Sequence, residues 1–142
     1  MQRVSGEAGN FEVQLTEYPR YVDMEKCIAC GACAEKCPKK VSNEYDGGLS
    51  KRHAVYVPYA QAVPLKYCID PSQCIYLIRG KCKGCEKFCP THAVNFDDEK
   101  KEFSLNVGAI ILAYGTETYD PNQHDTFGYG KYPNIVTSLE FE

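Results

Sequence analysis

Residues 11–18, Phe-Glu-Val-Gln-Leu-Thr-Glu-Tyr, alternate apolar and polar positions, the period-two pattern of a strand with one buried face. Gly6 and Gly9 precede it. Residues 102–115 begin with the same alternation and pass into the apolar run Ala-Ile-Ile-Leu-Ala, as in a strand buried on both faces. Between these stretches the pattern breaks into short pieces. Arg-Tyr-Val-Asp (20–23) and Lys-Tyr-Cys-Ile-Asp (66–70) are strand-like, and Ala-Val-Asn-Phe-Asp (93–97) alternates like a strand. Residues 39–52 are polar around the Gly47-Gly48 turn, and 53–65 are extended by their Val and Tyr content and two prolines. The pattern predicts two strand–loop–helix units, over 20–37 and 67–96, with a strand on either side; these flanks read as two cut ends of a larger sheet, or alternatively pair with each other as a private hairpin. After residue 115 a segment rich in Pro, Gly, Asp and Asn leads to Thr-Ser-Leu-Glu-Phe-Glu.

Composition narrows the function classes. With 142 residues, 25% charged and 44% hydrophobic, the chain reads as a small globular domain with additions. Sixteen basic residues against 19 acidic ones provide no net attraction for phosphate, so no nucleic-acid partner is expected. The longest apolar stretch, 107–113, is far short of the ~20 residues of a membrane helix, so no membrane span is expected. The first ten residues lack the apolar core of a secretion signal, and a cytoplasmic location is expected. His53, His92 and His124 have no catalytic neighbours in sequence and read as surface residues.

The chemistry lies in nine cysteines. Eight fall into two groups, Cys27, Cys30, Cys33 and Cys37, then Cys74, Cys82, Cys85 and Cys89; Cys68 stands apart. Cysteines so close together are poor disulfide partners and good joint metal ligands. The first group has the spacing C-x2-C-x2-C-x3-C-P, the bacterial iron–sulfur run in which the fourth cysteine serves the other cluster. Zinc sites more often combine separated C-x2-C pairs or add histidine, and structural zinc is the competing reading. A redox-sensing regulatory cluster is a second alternative.

The second group repeats the first. Cys30, Cys33 and Cys37 recur 52 residues on as Cys82, Cys85 and Cys89, and each set ends in Cys-Pro. Asp23 and Cys27 recur 47 residues on as Asp70 and Cys74, so the second motif carries a five-residue insertion and Cys74 is its displaced first ligand. Cys68 then falls opposite Tyr21, a strand position rather than a ligand. Cys33 and Cys37 lie one helical turn apart, ~6 Å of rise, so one sulfur can face one cluster and the next the other. The assignment is two [4Fe–4S] clusters: Cys27, Cys30, Cys33 and Cys89 hold the first, and Cys37, Cys74, Cys82 and Cys85 the second. Gly31 and Gly84 are expected where backbone approaches sulfide closely. Such a domain carries electrons, because four thiolates per cluster leave no site for substrate; no catalytic residue is expected.

The stretches from Arg20 to Asp70, Cys74 to Cys82, Cys85 to Pro90, Val107 to Gly115 and Gly128 to Glu142 together resemble the A subunit of heterodisulfide reductase. That resemblance implies a thioredoxin-reductase-like FAD domain interrupted by an inserted two-cluster ferredoxin domain. The implied fold is α+β: a bacterial two-cluster ferredoxin-like pseudo-repeat with extra flanking strands. Residues 1–19 and 99–142 are then the strands of the split flavoprotein domain, and 20–98 the ferredoxin-like insert. The family's buried strand usually ends Ala-Thr-Gly, where this chain has Ala113, Tyr114 and Gly115, and the dinucleotide fingerprint G-x-G-x-x-G is absent. FAD is therefore expected in the full-length parent and not in this chain. The resemblance implies as partners the other reductase subunits and a redox donor or acceptor protein.

Overall fold

The computed structural model describes residues 1–115 and 119–142, and the chain divides into two units, residues 1–108 and 109–142. In the first unit, strand β1 (Arg3–Glu7) turns back into β2 (Asn10–Glu17). Gly6 sits at φ +98°, where an added Cβ would run into the carbonyl oxygen of Asn10, so this turn requires glycine. β2 pairs antiparallel with β7 (Lys101–Val107), from Phe11 opposite Val107 to Glu17 opposite Lys101. The strands expected at the two flanks thus pair with each other, and residues 18–100 leave and re-enter at one end of their ladder. β1 was not expected, because Arg-Val-Ser-Gly-Glu has a single large apolar residue to signal a buried face.

Inside the enclosed segment every element is short. They are α1 (Ala32–Glu35), β3 (Lys40–Ser42), β4 (Lys51–His53), β5 (Val55–Tyr56), β6 (Cys68–Ile69), α2 (Ile75–Arg79) and α3 (Gly84–Lys87). The helical turns α1 and α3 fall where the cysteine motifs predict them, whereas α2 occupies the insertion between Cys74 and Cys82, where no helix is expected. The expected strand at 93–97 reduces to one bridge between Val22 and Val94, because Asn95 Oδ1 accepts from the Asp97 N–H and turns the chain away. The polar tract 39–52 is not mere loop: β3 and β4 form a hairpin. Asn43 locks it, accepting from the Tyr45 N–H and donating to Ser50 Oγ. A hairpin held by polar side chains leaves no apolar alternation to read.

The backbone around the two cysteine groups is bonded alike. The Asp23 N–H donates to Ala93 O (2.7 Å) and the Asp70 N–H to Ala54 O (2.8 Å). The Cys27 N–H donates to Asp23 O (3.0 Å) and the Cys74 N–H to Asp70 O (2.9 Å). The core is Val22, Val55, Ile69, Ala93 and Val94 together with Cys27, Cys33, Cys74 and Cys85. Sulfur therefore occupies positions that aliphatic side chains fill in an ordinary small domain.

In the second unit, residues 109–115 do not form the expected buried strand. Ile111 and Tyr114 are each 91% exposed, and among the described residues no strand pairs with this run. A strand buried on both faces needs a layer on each side, which this unit does not supply. Residues 116–118 of the expected returning segment lie outside the described residues. The unit ends in α4 (Ser138–Phe141), started by a capping box in which Thr137 Oγ1 accepts from the Glu140 N–H and Glu140 accepts from the Thr137 N–H.

Candidate metal centre

Each cysteine group opens on a turn made by its aspartate. Asp23 Oδ1 accepts from the N–H groups of Glu25 and Lys26, and Asp70 Oδ1 from the N–H and hydroxyl of Ser72. These turns deliver Cys27 and Cys74 to the start of their loops. The first loop then passes through left-handed backbone at Ala29 (φ 57°) and Gly31 (φ 85°), and the second at Cys82 itself (φ 82°). Left-handed Ala and Cys each cost about 1 kcal/mol or more, which the surrounding structure must offset.

The loops and helical turns divide the cysteines four and four. Cys27, Cys30, Cys33 and Cys89 line one pocket, walled by Val22, Tyr67 and Ala93. Cys37, Cys74, Cys82 and Cys85 line a second, walled by Val55, Ile75 and Tyr76. Cys33 lies in α1 and Cys37 just beyond it, yet they line different cavities; Cys85 and Cys89 are divided in the same way about α3. Cys68 stands in β6, half-buried, its thiol donating to Tyr56 O at 3.5 Å, and lines neither cavity.

The donor set suits [4Fe–4S] clusters, which take four cysteine thiolates in low-polarity surroundings. Among the described residues no three His, Cys, Asp or Glu side chains stand close enough to grip a single ion. A zinc ion, with Zn–S distances of about 2.3 Å, draws its sulfurs into a tighter group than a four-iron cluster does. Burial pushes the Cys33 thiol up to about 11 and the Cys85 thiol up to about 12. Both are therefore neutral at pH 7, and metal must displace their protons. Burial also raises Cys89, but hydrogen bonds led by the Ala93 N–H (3.2 Å to Sγ) outweigh it and leave this thiol below its ordinary range.

Lys66 has no sequence signal, and His53 and Arg52 read from sequence as solvated surface, yet all three bear on the ligand loops or the turn before one. Lys66 Nζ donates to Cys27 O at 2.6 Å. His53, expected on the surface, is half-buried, with Nδ1 2.7 Å from Cys37 O. Arg52 bonds Glu44 through two nitrogens (2.6 and 2.8 Å), reaches Asp70 at 2.9 Å, and lies 3.7 Å over the Tyr56 ring. These partners lie 4 to 39 positions away in sequence, so no local pattern announces them. At Gly84 an added Cβ would meet Lys36 O at 3.4 Å across the α1–α3 packing, an ordinary contact.

A 4Fe-4S binding domain model matches residues 20–41, which contain the first four cysteines. The iron–sulfur A subunit of CoB–CoM heterodisulfide reductase from Methanocaldococcus jannaschii is 47% identical over all 142 residues. Over its whole length the chain is homologous to one segment of the heterodisulfide reductase A subunit. The first of two such iron–sulfur subunits of Methanopyrus kandleri is 48% identical over 98% of the chain. The corresponding subunit of the H2:CoB–CoM heterodisulfide, ferredoxin reductase of Methanothermobacter marburgensis is 42% identical over all of it. The chain spans about one fifth of the length of these relatives, 20–21%. The domain match and the names of the Methanocaldococcus and Methanopyrus relatives agree on iron–sulfur binding. No helix among the described residues is long and apolar enough to cross a membrane.

Proposed function

We propose that this chain holds two [4Fe–4S] clusters and passes single electrons between them as a module of a heterodisulfide-reductase-type flavin and iron–sulfur enzyme. Cys27, Cys30, Cys33 and Cys89 would hold one cluster, and Cys37, Cys74, Cys82 and Cys85 the other. The carrying observation is the four-and-four lining of the two cavities with Cys37 and Cys89 exchanged between motifs. When bound, each cluster supplies reversible one-electron chemistry. The chain's own contribution is to present sulfur, exclude water with Val22, Val55, Ile69 and Val94, and keep the two sites one helical turn apart. The aspartate turns and the matched bonds to Ala93 and Ala54 support a two-cluster ferredoxin-like pseudo-repeat.

In this reading residues 20–98 are the electron-transfer domain, and 1–19 with 99–142 belong to a flavoprotein domain that it interrupts. The antiparallel pairing of β2 with β7 supports it, since a ladder open at one end admits an insert without disturbing either strand. FAD would belong to the rest of the longer protein, and catalysis there and in partner subunits; a cytoplasmic, reducing setting goes with eight thiolate ligands. The test is anaerobic reconstitution with iron and sulfide. About eight iron and eight sulfide per chain, a broad visible absorbance bleached by dithionite and two interacting EPR signals are expected. One zinc per four cysteines with no visible absorbance would establish the structural-zinc alternative instead.

A further inference from the structure

We propose that Lys66 raises the reduction potential of the Cys27–Cys30–Cys33–Cys89 site by placing a cation on the backbone carbonyl of Cys27. This rests on the two-cluster reading above and adds a positioning residue that makes the two sites electrically unequal. The two cysteine motifs are otherwise bonded alike: the N–H groups of Asp23 and Cys27 have the same kinds of partner as those of Asp70 and Cys74. They part at the carbonyl of the first cysteine. Cys74 O accepts from the Ile78 N–H at 3.0 Å, because α2 fills the insertion that follows it. The first motif has no such helix. Among the described residues the donor to Cys27 O is Lys66 Nζ, at 2.6 Å. Where one site has a neutral amide, the other has an ammonium group.

The fold holds Lys66 in this position. Arg20 Nη2 donates to Lys66 O at 3.3 Å, and the Ile69 N–H donates to Arg20 O at 3.0 Å. The Arg20 N–H donates in turn to Asp98 Oδ2 at 3.0 Å. The next residue, Tyr67, lines the same pocket, its hydroxyl 3.3 Å from where a Cβ on Gly31 would stand. Residues 66 and 67 thus give the first site one charge and one wall. Lys66 is half-buried and, among the described residues, has no carboxylate partner to offset its charge.

The second site has basic neighbours of another kind. Lys39 lines it without bonding a ligand carbonyl, and Lys83, over Tyr76, is exposed and paired with Glu86 at 3.3 Å. His53 meets Cys37 O with an imidazole rather than a permanent cation. Reduction adds one electron to a site and neither makes nor breaks a bond, so the site becomes more negative by one charge. A cation bonded to the backbone of a ligand stabilises that reduced state more than the oxidised one. The effect falls with distance and with solvent screening, which confines most of it to the nearer site.

The test uses the whole chain after anaerobic reconstitution, titrated with dithionite in the presence of redox mediators and followed by EPR. Lys66→Gln keeps a donor for Cys27 O and removes the charge. One of the two one-electron steps should then shift to lower potential, by about tenfold in the ratio of reduced to oxidised site, or about 59 mV. The other step should stay within about twofold. Lys66→Arg keeps the charge and should hold both steps within about threefold of the parent chain. Lys83→Gln, which removes an exposed charge beside the second site, should leave the Lys66-sensitive step within about twofold. Iron content should match the parent in all three variants. Loss of iron in Lys66→Gln overturns the proposal in favour of a purely structural bond, and an equal shift of both steps overturns it in favour of a general charge effect. Iron analysis precedes the titration and separates the two levels of failure. Zinc in place of iron refutes the electron-transfer reading and this proposal together, whereas about eight iron per chain with a Lys66→Gln titration like the parent's overturns this proposal alone.

Discussion

Cys68 and Cys74 lie six positions apart, are both largely removed from solvent, and precede the same C-x2-C-x3-C run, yet they should respond in opposite ways to replacement by alanine. In Cys68→Ala the losses are one sulfur's packing in β6 and the weak 3.5 Å bond to Tyr56 O. Truncating a small half-buried side chain of this kind costs about 1 kcal/mol, with no effect on metal binding. Cys74→Ala removes one of the four sulfurs lining the second cavity, at a site only 7% exposed. Three thiolates hold three irons firmly and the fourth poorly. Iron should therefore fall from about eight per chain to about seven where a three-iron cluster forms, or to about four where the site empties. Anaerobic iron and sulfide analysis with EPR of the oxidised protein reads both outcomes, a new three-iron signal appearing only in Cys74→Ala. Full iron content in Cys74→Ala, or loss of iron in Cys68→Ala, would refute the assignment of Cys74 as ligand and Cys68 as strand residue.

Arg52, with its side chain 10% exposed, joins the β3–β4 hairpin to the turn that delivers Cys74. Arg52→Met leaves Asp70 unpaired at 14% side-chain exposure and should cost about 2–3 kcal/mol in denaturant unfolding, and Arg52→Lys about 1 kcal/mol through loss of the fork and the stack on Tyr56. The same ion pairs set an acid limit. The Arg52 hydrogen bond holds the Glu44 carboxyl below its ordinary 4.5, and although burial raises Asp70, bonds from Ser72 and Arg52 outweigh it and leave it below 3.8. Lowered carboxyls contribute stability that is complete above their ordinary values and lost as pH falls through the folded ones. Denaturation midpoints should therefore hold down to pH about 5 and decline below about 4.5, and Glu44→Gln should remove the upper part of that decline. Removing iron should leave 20–98 without much of its core, because four of the nine buried core residues are cysteines. Amide exchange should then rise sharply across 27–37 and 74–89, whereas β1, β2 and β7 keep their protection; unchanged exchange in the cysteine loops would count against a metal-organised core.

What the sequence carried by itself is the chemistry and its bookkeeping. Ligand spacing is a local property, and the duplication at offsets of 47 and 52 residues carries the proposed ligand set, the insertion before Cys82 and the reading of Cys68 as a strand residue. Strands β2 and β7 were legible because each has a long period-two pattern. The tertiary structure decided what depends on approach through space. It decided that the flanks pair with each other and that 39–52 is a hairpin fastened by Asn43. It decided that Lys66, His53 and Arg52 bear on the ligand loops or the turn before one. The apolar run 109–115 shows the limit from the other side. Hydrophobicity states that a segment seeks burial, but only neighbouring chain can provide it, and here Ile111 and Tyr114 stand in solvent. Sequence encodes the preference of each residue, and the fold decides which preferences are met, because packing and charge act between residues brought together irrespective of their distance along the chain.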